Sequence, residues 1–283
     1  MTATDVSTLP WGLWFHQAIS VLRLEAKKSF LSRRAVWIYL LAGAPILLTG
    51  GHSLTEMTRS RPGCSIPEDS MVYAGIFQFF YLRLGIFFGC VGIFTNLFRA
   101  EMLERTMHYY FLAPVRRDVL LAGKYLAGLA TAAVLFGLSV VLSFLTISAH
   151  FGQEYRDFIV NGPGLWQLGW YTTVAILACI GYGAVFLVAG LLFRNPMIPA
   201  AVIMVWEAAN GFLPAVLQRL SITFYLKSLS PVEVPIKGPL ALIAVNAEPT
   251  PAWVAIPGLL VVSGAILYFA MRKVKTLEIS YTE

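Results

Sequence analysis

Apolar residues run along this chain in long stretches separated by short polar ones, the pattern of a helix that passes repeatedly through lipid rather than one that lines a soluble core. A spanning helix needs about 20 mainly apolar residues to cross a ~30 Å hydrocarbon layer. Six stretches qualify, running approximately from Ala35 to Gly51, Met71 to Phe98, Val119 to Ala149, Trp166 to Phe193, Met197 to Leu217, and Trp253 to Met271. The first is the shortest, and the second and third are long enough to tilt or to project beyond the bilayer.

Ahead of the first span, Trp11 to Arg34 reads as an amphipathic helix. Trp11, Phe15, Ala18, Leu22, Ala26 and Phe30 fall on one face, and His16, Ser20, Arg23 and Lys27 on the other. Aromatic and basic residues in this arrangement suit a helix lying in the cytoplasmic interface, and a helix packed on a partner protein fits the same pattern. Between the last two spans, residues 218–252 carry Pro231, Pro235, Pro239, Pro249 and Pro251 among apolar clusters, which predicts short external helices dipping into the outer leaflet. The expected architecture is an all-α polytopic membrane protein. It has an entry helix over 1–34, a six-span domain over 35–271 and a tail over 272–283.

Composition agrees. With 58% hydrophobic and 13% charged residues and a mean hydropathy of +0.71, the 283-residue chain lies far from a water-soluble domain, which carries about 25% charged residues. The net charge of +6 would raise the question of nucleic acid in a soluble chain. Here the distribution of the charge points to anionic lipid. Arg23, Lys27, Lys28, Arg33, Arg34, Arg99, Arg105, Arg116, Arg117, Lys124, Arg194, Arg272, Lys273 and Lys275 belong to one side of the predicted topology. Only Arg59, Arg61, Arg156, Arg219, Lys227 and Lys237 belong to the other. The excess predicts both termini in the cytoplasm. No uninterrupted apolar stretch with a small-residue cleavage site opens the chain, so the first methionine is expected to stay.

Little catalytic chemistry is legible. Three cysteines, two of them (Cys90 and Cys179) inside apolar runs, make no disulfide framework. The topology puts His16 and His108 on one side and His52 and His150 on the other, and interfacial polar histidines are the commoner meaning of such pairs. HExxH, CxxC and GxSxG are absent. A phosphate loop is also missing, because Tyr125 follows Gly123-Lys124 where Ser or Thr is needed, and Asp118 replaces the opening glycine. The chain is therefore expected to hydrolyse no ATP itself and to hold no metal.

The loop between the second and third spans is the most informative segment. Charges open it (Glu101, Glu104, Arg105), a run of large apolar residues follows, and Pro114 breaks it before Arg116 and Arg117. Met107, Tyr110 and Phe111 share a helical face, which suits a short helix parallel to the membrane that offers side chains to a docking groove while the acids stay wet. This start at Glu101-Met102-Leu103-Glu104-Arg105-Thr106, the exit Ala113-Pro114-Val115-Arg116-Arg117 and the following Val119-Leu120-Leu121-Ala122-Gly123-Lys124 resemble the membrane subunit of type-2 ABC exporters.

That resemblance implies an ATP-driven permease whose loop 99–118 is a coupling helix touching a separate ATPase. Two membrane subunits, a second copy or a similar permease, would pair with two ATPases that bind ATP and Mg, in the bacterial inner membrane. Carried over by position, Glu101, Glu104, Arg105 and Thr106 open the coupling segment, Tyr110 and Phe111 dock, and Pro114, Arg116 and Arg117 form its exit. His108 to Phe111 departs from many relatives and bears on which ATPase is accepted. Two rivals belong to other classes: a mechanical transmitter that acts on an external partner without moving substrate, and a membrane enzyme acting on lipids.

Two charges lie within predicted spans. Arg83 and Glu207 sit at comparable depths, where an ionisable group costs about 2.5–3.5 kcal/mol on insertion scales. Neither should face lipid. They either pair across helices or face a polar substrate, and Asn210, about one turn beyond Glu207, extends the polar face. Gly85, Gly89, Gly92, Gly181, Gly183 and Gly190 allow close helix approach.

Overall fold

The structure is a computed structural model that describes residues 11–31, 35–59, 63, 65–104, 106, 112, 116–232, 234 and 250–275. Helices dominate it in the order α1 (Trp11–Leu31), α2 (Ala35–Thr58), α3 (Ile66–Ile76), a π-helix (Phe77–Gly85), α4 (Ile86–Phe94), α5 (Asn96–Leu103), α6 (Arg117–Ile147), α7 (Gln153–Val160), α8 (Gly164–Leu192), α9 (Met197–Ala209), α10 (Ala215–Gln218), α11 (Ile222–Ser228) and α12 (Ala252–Lys275). Among the described residues, five helices are long and apolar enough to cross a membrane: α2, the 38-residue rod Ile66–Leu103 built from α3 through α5, α6, α8 and α12.

The rod starts where the side chain of Glu68 accepts the backbone N–H of Ser65 at 2.8 Å, satisfying a donor that the first turn leaves open. Rod, α6 and α8 form the centre. Tyr81 shares its hydroxyl with Ser139 (2.6 Å) and Ser143 (2.8 Å) on α6, and Phe87 meets Phe186 of α8 edge-on at 5.0 Å. Two glycines on α8 make that contact close. A Cβ on Gly183 would lie 2.5 Å from Phe94 Cζ, and one on Gly190 2.6 Å from the Thr95 carbonyl oxygen, so only hydrogen fits at either place.

The fifth predicted span does not run from Met197 to Leu217. α9 is a 13-residue helix, about 20 Å long at 1.5 Å per residue, and a 3-10 turn at Asn210–Phe212 ends it. The chain then turns back into the bundle through α10 and α11. Tyr182, about 27 Å along α8 from its start at Gly164, hydrogen-bonds Thr223 in the first turn of α11 at 2.9 Å. α11 packs among α8, α12 and the π-helix. Of the short helices predicted to dip into the outer leaflet, α11 reaches into the bundle, and most of the proline-rich stretch after it lies outside the described residues.

α1 and the ends of α6 and α12 meet at one end of the bundle, where Arg117 donates to the carbonyls of Val274 (3.3 Å) and Lys275 (3.1 Å). On α1, Val21 and Glu25 are buried against the bundle, and Phe15 is exposed.

Candidate functional site

Lys124 lies in the second turn of α6 and is wholly buried. Its ammonium donates to Glu25 of α1 at 2.6 Å and to the Leu97 carbonyl of α5 at 2.8 Å. It also stands 2.8 Å from the Glu101 carboxylate of α5. The carboxylates are 3% and 1% exposed. Lys28 approaches Glu101 from the solvent side at 3.6 Å. Three elements distant in sequence are thereby locked by one cation between two acids. Val21 fixes the same seam, since a Cβ on Gly123 would come within 2.9 Å of its own Cβ. Burial alone would push the Glu25 carboxyl up, but the charge and hydrogen bond of Lys124 outweigh it and hold the carboxyl below its ordinary value.

Glu101, expected to stay wet at the start of the loop, is instead sealed inside. The second span continues as α5 beyond Phe98, which carries Glu101 round to face Lys124. Glu104 is exposed as expected. Thr106 donates its backbone N–H back to the Glu101 carbonyl at 2.9 Å, which ends the helix. Arg105, Tyr110, Phe111 and Pro114 lie outside the described residues.

At the exit, Arg116 grips Asp118 with two hydrogen bonds (3.2 and 2.7 Å) and lies 4.3 Å over the ring of Trp14 in α1. Arg117 ties to the end of α12, as described above. Both ends of the loop therefore emerge from a rigid platform made of α1, α5, α6 and α12. A cavity of about 240 Å³ beside this platform is lined by Glu25, Lys28, Asn96 and Glu104, among others.

The two intramembrane charges do not pair. Glu207 is buried, and its carboxylate accepts Ser221 Oγ at 2.5 Å and the backbone N–H groups of Ile222 and Thr223 at 3.1 and 3.0 Å. Those two N–H groups belong to the open first turn of α11, where a negative group both satisfies donors and meets the positive end of the helix dipole. Asn210 serves the same re-entrant turn, donating to the Gln218 carbonyl at 3.2 Å. Arg83 makes no ion pair among the described residues and lies against Phe79 with its Cζ 5.4 Å from the ring centre.

Sequence reasoning missed a second polar cluster at the opposite end. Asp69 is buried and contacts His52 Nε2 (3.1 Å), Ser148 Oγ (3.0 Å) and His150 Nε2 (3.9 Å). The two histidines read as separate interfacial residues thus converge on one carboxylate. Asp69 sits in the first turn of α3 in a polar stretch, so no pattern marked it as buried. Among the described residues, no group of three or more His, Cys, Asp or Glu could hold a metal ion. Lys124 and Glu25 did carry a signal: a charge inside an apolar run, and an acid on a helix that packs inward.

Comparison with individual curated proteins gives no match. Residues 21–210, from the middle of α1 to the end of α9, match the profile of the ABC-2 family transporter protein. This match takes in the buried ion cluster, the loop that leaves it, and the five elements around the π-helix. With two thirds of its length covered and a bundle of apolar helices to bear it out, the chain belongs to the ABC-2 family and is a multi-pass membrane permease of the ABC-transporter type.

Proposed function

We propose that this chain is the export permease of an ABC transporter, driven through residues 99–118 by a separate subunit that binds ATP and Mg and hydrolyses the nucleotide. The reading places the loop and both termini in the cytoplasm of a bacterial inner membrane. Two permease subunits, a second copy or a similar chain, pair with two ATPases. The observation that carries it is the anchoring of the loop: one end leaves Glu101 in the buried Lys124 cluster, and the other returns through Arg116 and Arg117 onto α1 and α12. A push on such a loop moves α1, α5 and α6 as a unit, because separating them would strand charges away from water.

The family membership supports the same division of labour, since ABC-2 permeases generally work with ABC ATPases. The rod Ile66–Leu103 and α9 would line the pathway, with the re-entrant α11 closing it from the far side. Exchanging Glu104 and Arg105 for alanine together should reduce ATPase binding or transport-linked hydrolysis several-fold. Wild-type values for both measurements would overturn the proposal.

A further inference from the structure

Arg83 stands on a stretch of backbone unlike the rest of its span. From Phe77 to Gly85 the rod widens into a nine-residue π-helix, and the N–H of Ile86 closes it on the Tyr81 carbonyl. The stretch contains no proline to force the change. π-turns are rare, occur mostly singly and are frequently found at functional sites. Here the widening leaves Phe79 and Leu84 exposed and Arg83 half-buried between them in sequence. The Nε of Arg83 is buried with no hydrogen-bond partner. A guanidinium cannot shed its proton, so its charge and this donor both call for an acceptor.

The nearby acid does not supply one, because Glu207 is committed to the first turn of α11 by three hydrogen bonds. α11 instead brings a second cation. Its Lys227 is half-buried in the last turn of a helix that packs against the π-helix. Gln78, one residue into the π-helix, donates to the Val232 carbonyl at 3.2 Å and fastens the segment after α11 to the same place. Two cations thus stand on elements that pack together, while the carboxylate of α9 is already committed. The planar fork of an arginine suits an oxyanion, and a lysine beside it adds a point charge.

We propose that Arg83 and Lys227 bind the oxyanion headgroup of an amphiphile, whose apolar part lies along the exposed Phe79 and Leu84. This assigns anionic amphiphiles as the substrate class and rests on the permease reading above. The test uses the full chain in phosphatidylcholine nanodiscs and measures binding of fluorescent phosphatidylglycerol, with phosphatidylcholine and inorganic phosphate as competitors. Expected is at least a tenfold preference for phosphatidylglycerol, a loss of about tenfold in Arg83→Gln and in Lys227→Gln, retention within about threefold in Arg83→Lys, and weak competition by phosphate. Binding of wild-type strength in both glutamine variants overturns the site, and phosphate competing as well as the lipid overturns the amphiphile. If Arg83→Gln does not melt like the wild type, Lys227→Gln decides alone. ATPase association with the wild-type chain is measured in parallel. A chain that holds the ATPase but shows no lipid preference refutes only this inference, and one that prefers the lipid but holds no ATPase refutes only the permease reading.

Discussion

Replacing Lys124 with methionine removes one charge and leaves the side-chain volume nearly unchanged, so the cavity penalty is small. The electrostatic penalty is not. Lys124 and Lys28 balance Glu25 and Glu101 in the wild type; Lys28 stands 3.6 Å from Glu101, and its charge also acts on Glu25. In Lys124→Met the buried Glu25 carboxylate, 3% exposed, loses the cation 2.6 Å from it and keeps only the weaker influence of Lys28. Removing one partner of a buried pair costs about 3–5 kcal/mol, which lowers a melting temperature by on the order of 5–15 °C in a chain of this size. A second substitution, Glu25→Leu, removes the stranded charge and leaves the Glu101–Lys28 pair neutral. The double variant should therefore recover at least half of the loss. The assay is thermal melting in detergent of chains carrying Cys64→Ser, read by a maleimide fluorophore that reacts as the buried thiols Cys90 and Cys179 become accessible. A double variant that melts as low as Lys124→Met, or lower, would refute the claim that charge balance holds α1 to α6.

Glu207→Gln should loosen α11, because an amide oxygen can replace only part of a carboxylate that accepts three hydrogen bonds, each worth about 1.5–3 kcal/mol when the acceptor is charged. Faster amide exchange over 222–228 is the expected signature, and unchanged exchange would show that the cap is dispensable. Gly190→Ala should cost about 1–3 kcal/mol, since its methyl would press on the Thr95 carbonyl, and a melting temperature equal to wild type would mean that α8 and the rod are less tightly packed. The depressed Glu25 carboxyl contributes stability in full above the ordinary glutamate value of about 4.3. That contribution falls away as the pH drops from there through the lower value in the folded chain. Glu25→Gln should flatten this acid limb of the melting-temperature profile, and an unchanged limb would assign it to other groups.

How far the sequence disclosed this molecule depends on the kind of information each feature needs. Span lengths follow from bilayer thickness and local hydropathy, so α2, the rod, α6, α8 and α12 were legible. The loop expected at 99–118 begins later than hydropathy suggested, because α5 runs on to Leu103. Helical periodicity says which residues share a face but not which neighbour that face meets. Glu101 was thus read as wet, although α5 turns it onto Lys124, and the burial of Val21 and Glu25 on α1 could not be read from the periodicity of that helix. Glu207 was correctly marked as a charge that lipid would not accept. Its partner could not be inferred from depth alone, because the backbone N–H groups that claim it lie on a chain that doubles back 14 to 16 residues later. A hydropathy window read the whole of Met197 to Leu217 as one span, although Asn210, Gly211 and Pro214 were already in it as the residues of a break. The Asp69 cluster was invisible because its members are scattered polar residues that only the fold assembles.

The central claim is that a separate ATPase acts at the end of the bundle from which residues 99–118 emerge. Leu112, in that loop, is 80% exposed, and Val160, at the opposite end, is 69% exposed. A photo-crosslinking residue at each position, in the chain expressed together with its ATP-binding subunit, reports directly on where that subunit sits. Strong crosslinking from position 112 that changes with ATP, and none from position 160, is the predicted result. An assembled complex that crosslinks from position 160 and not from 112 would contradict the account.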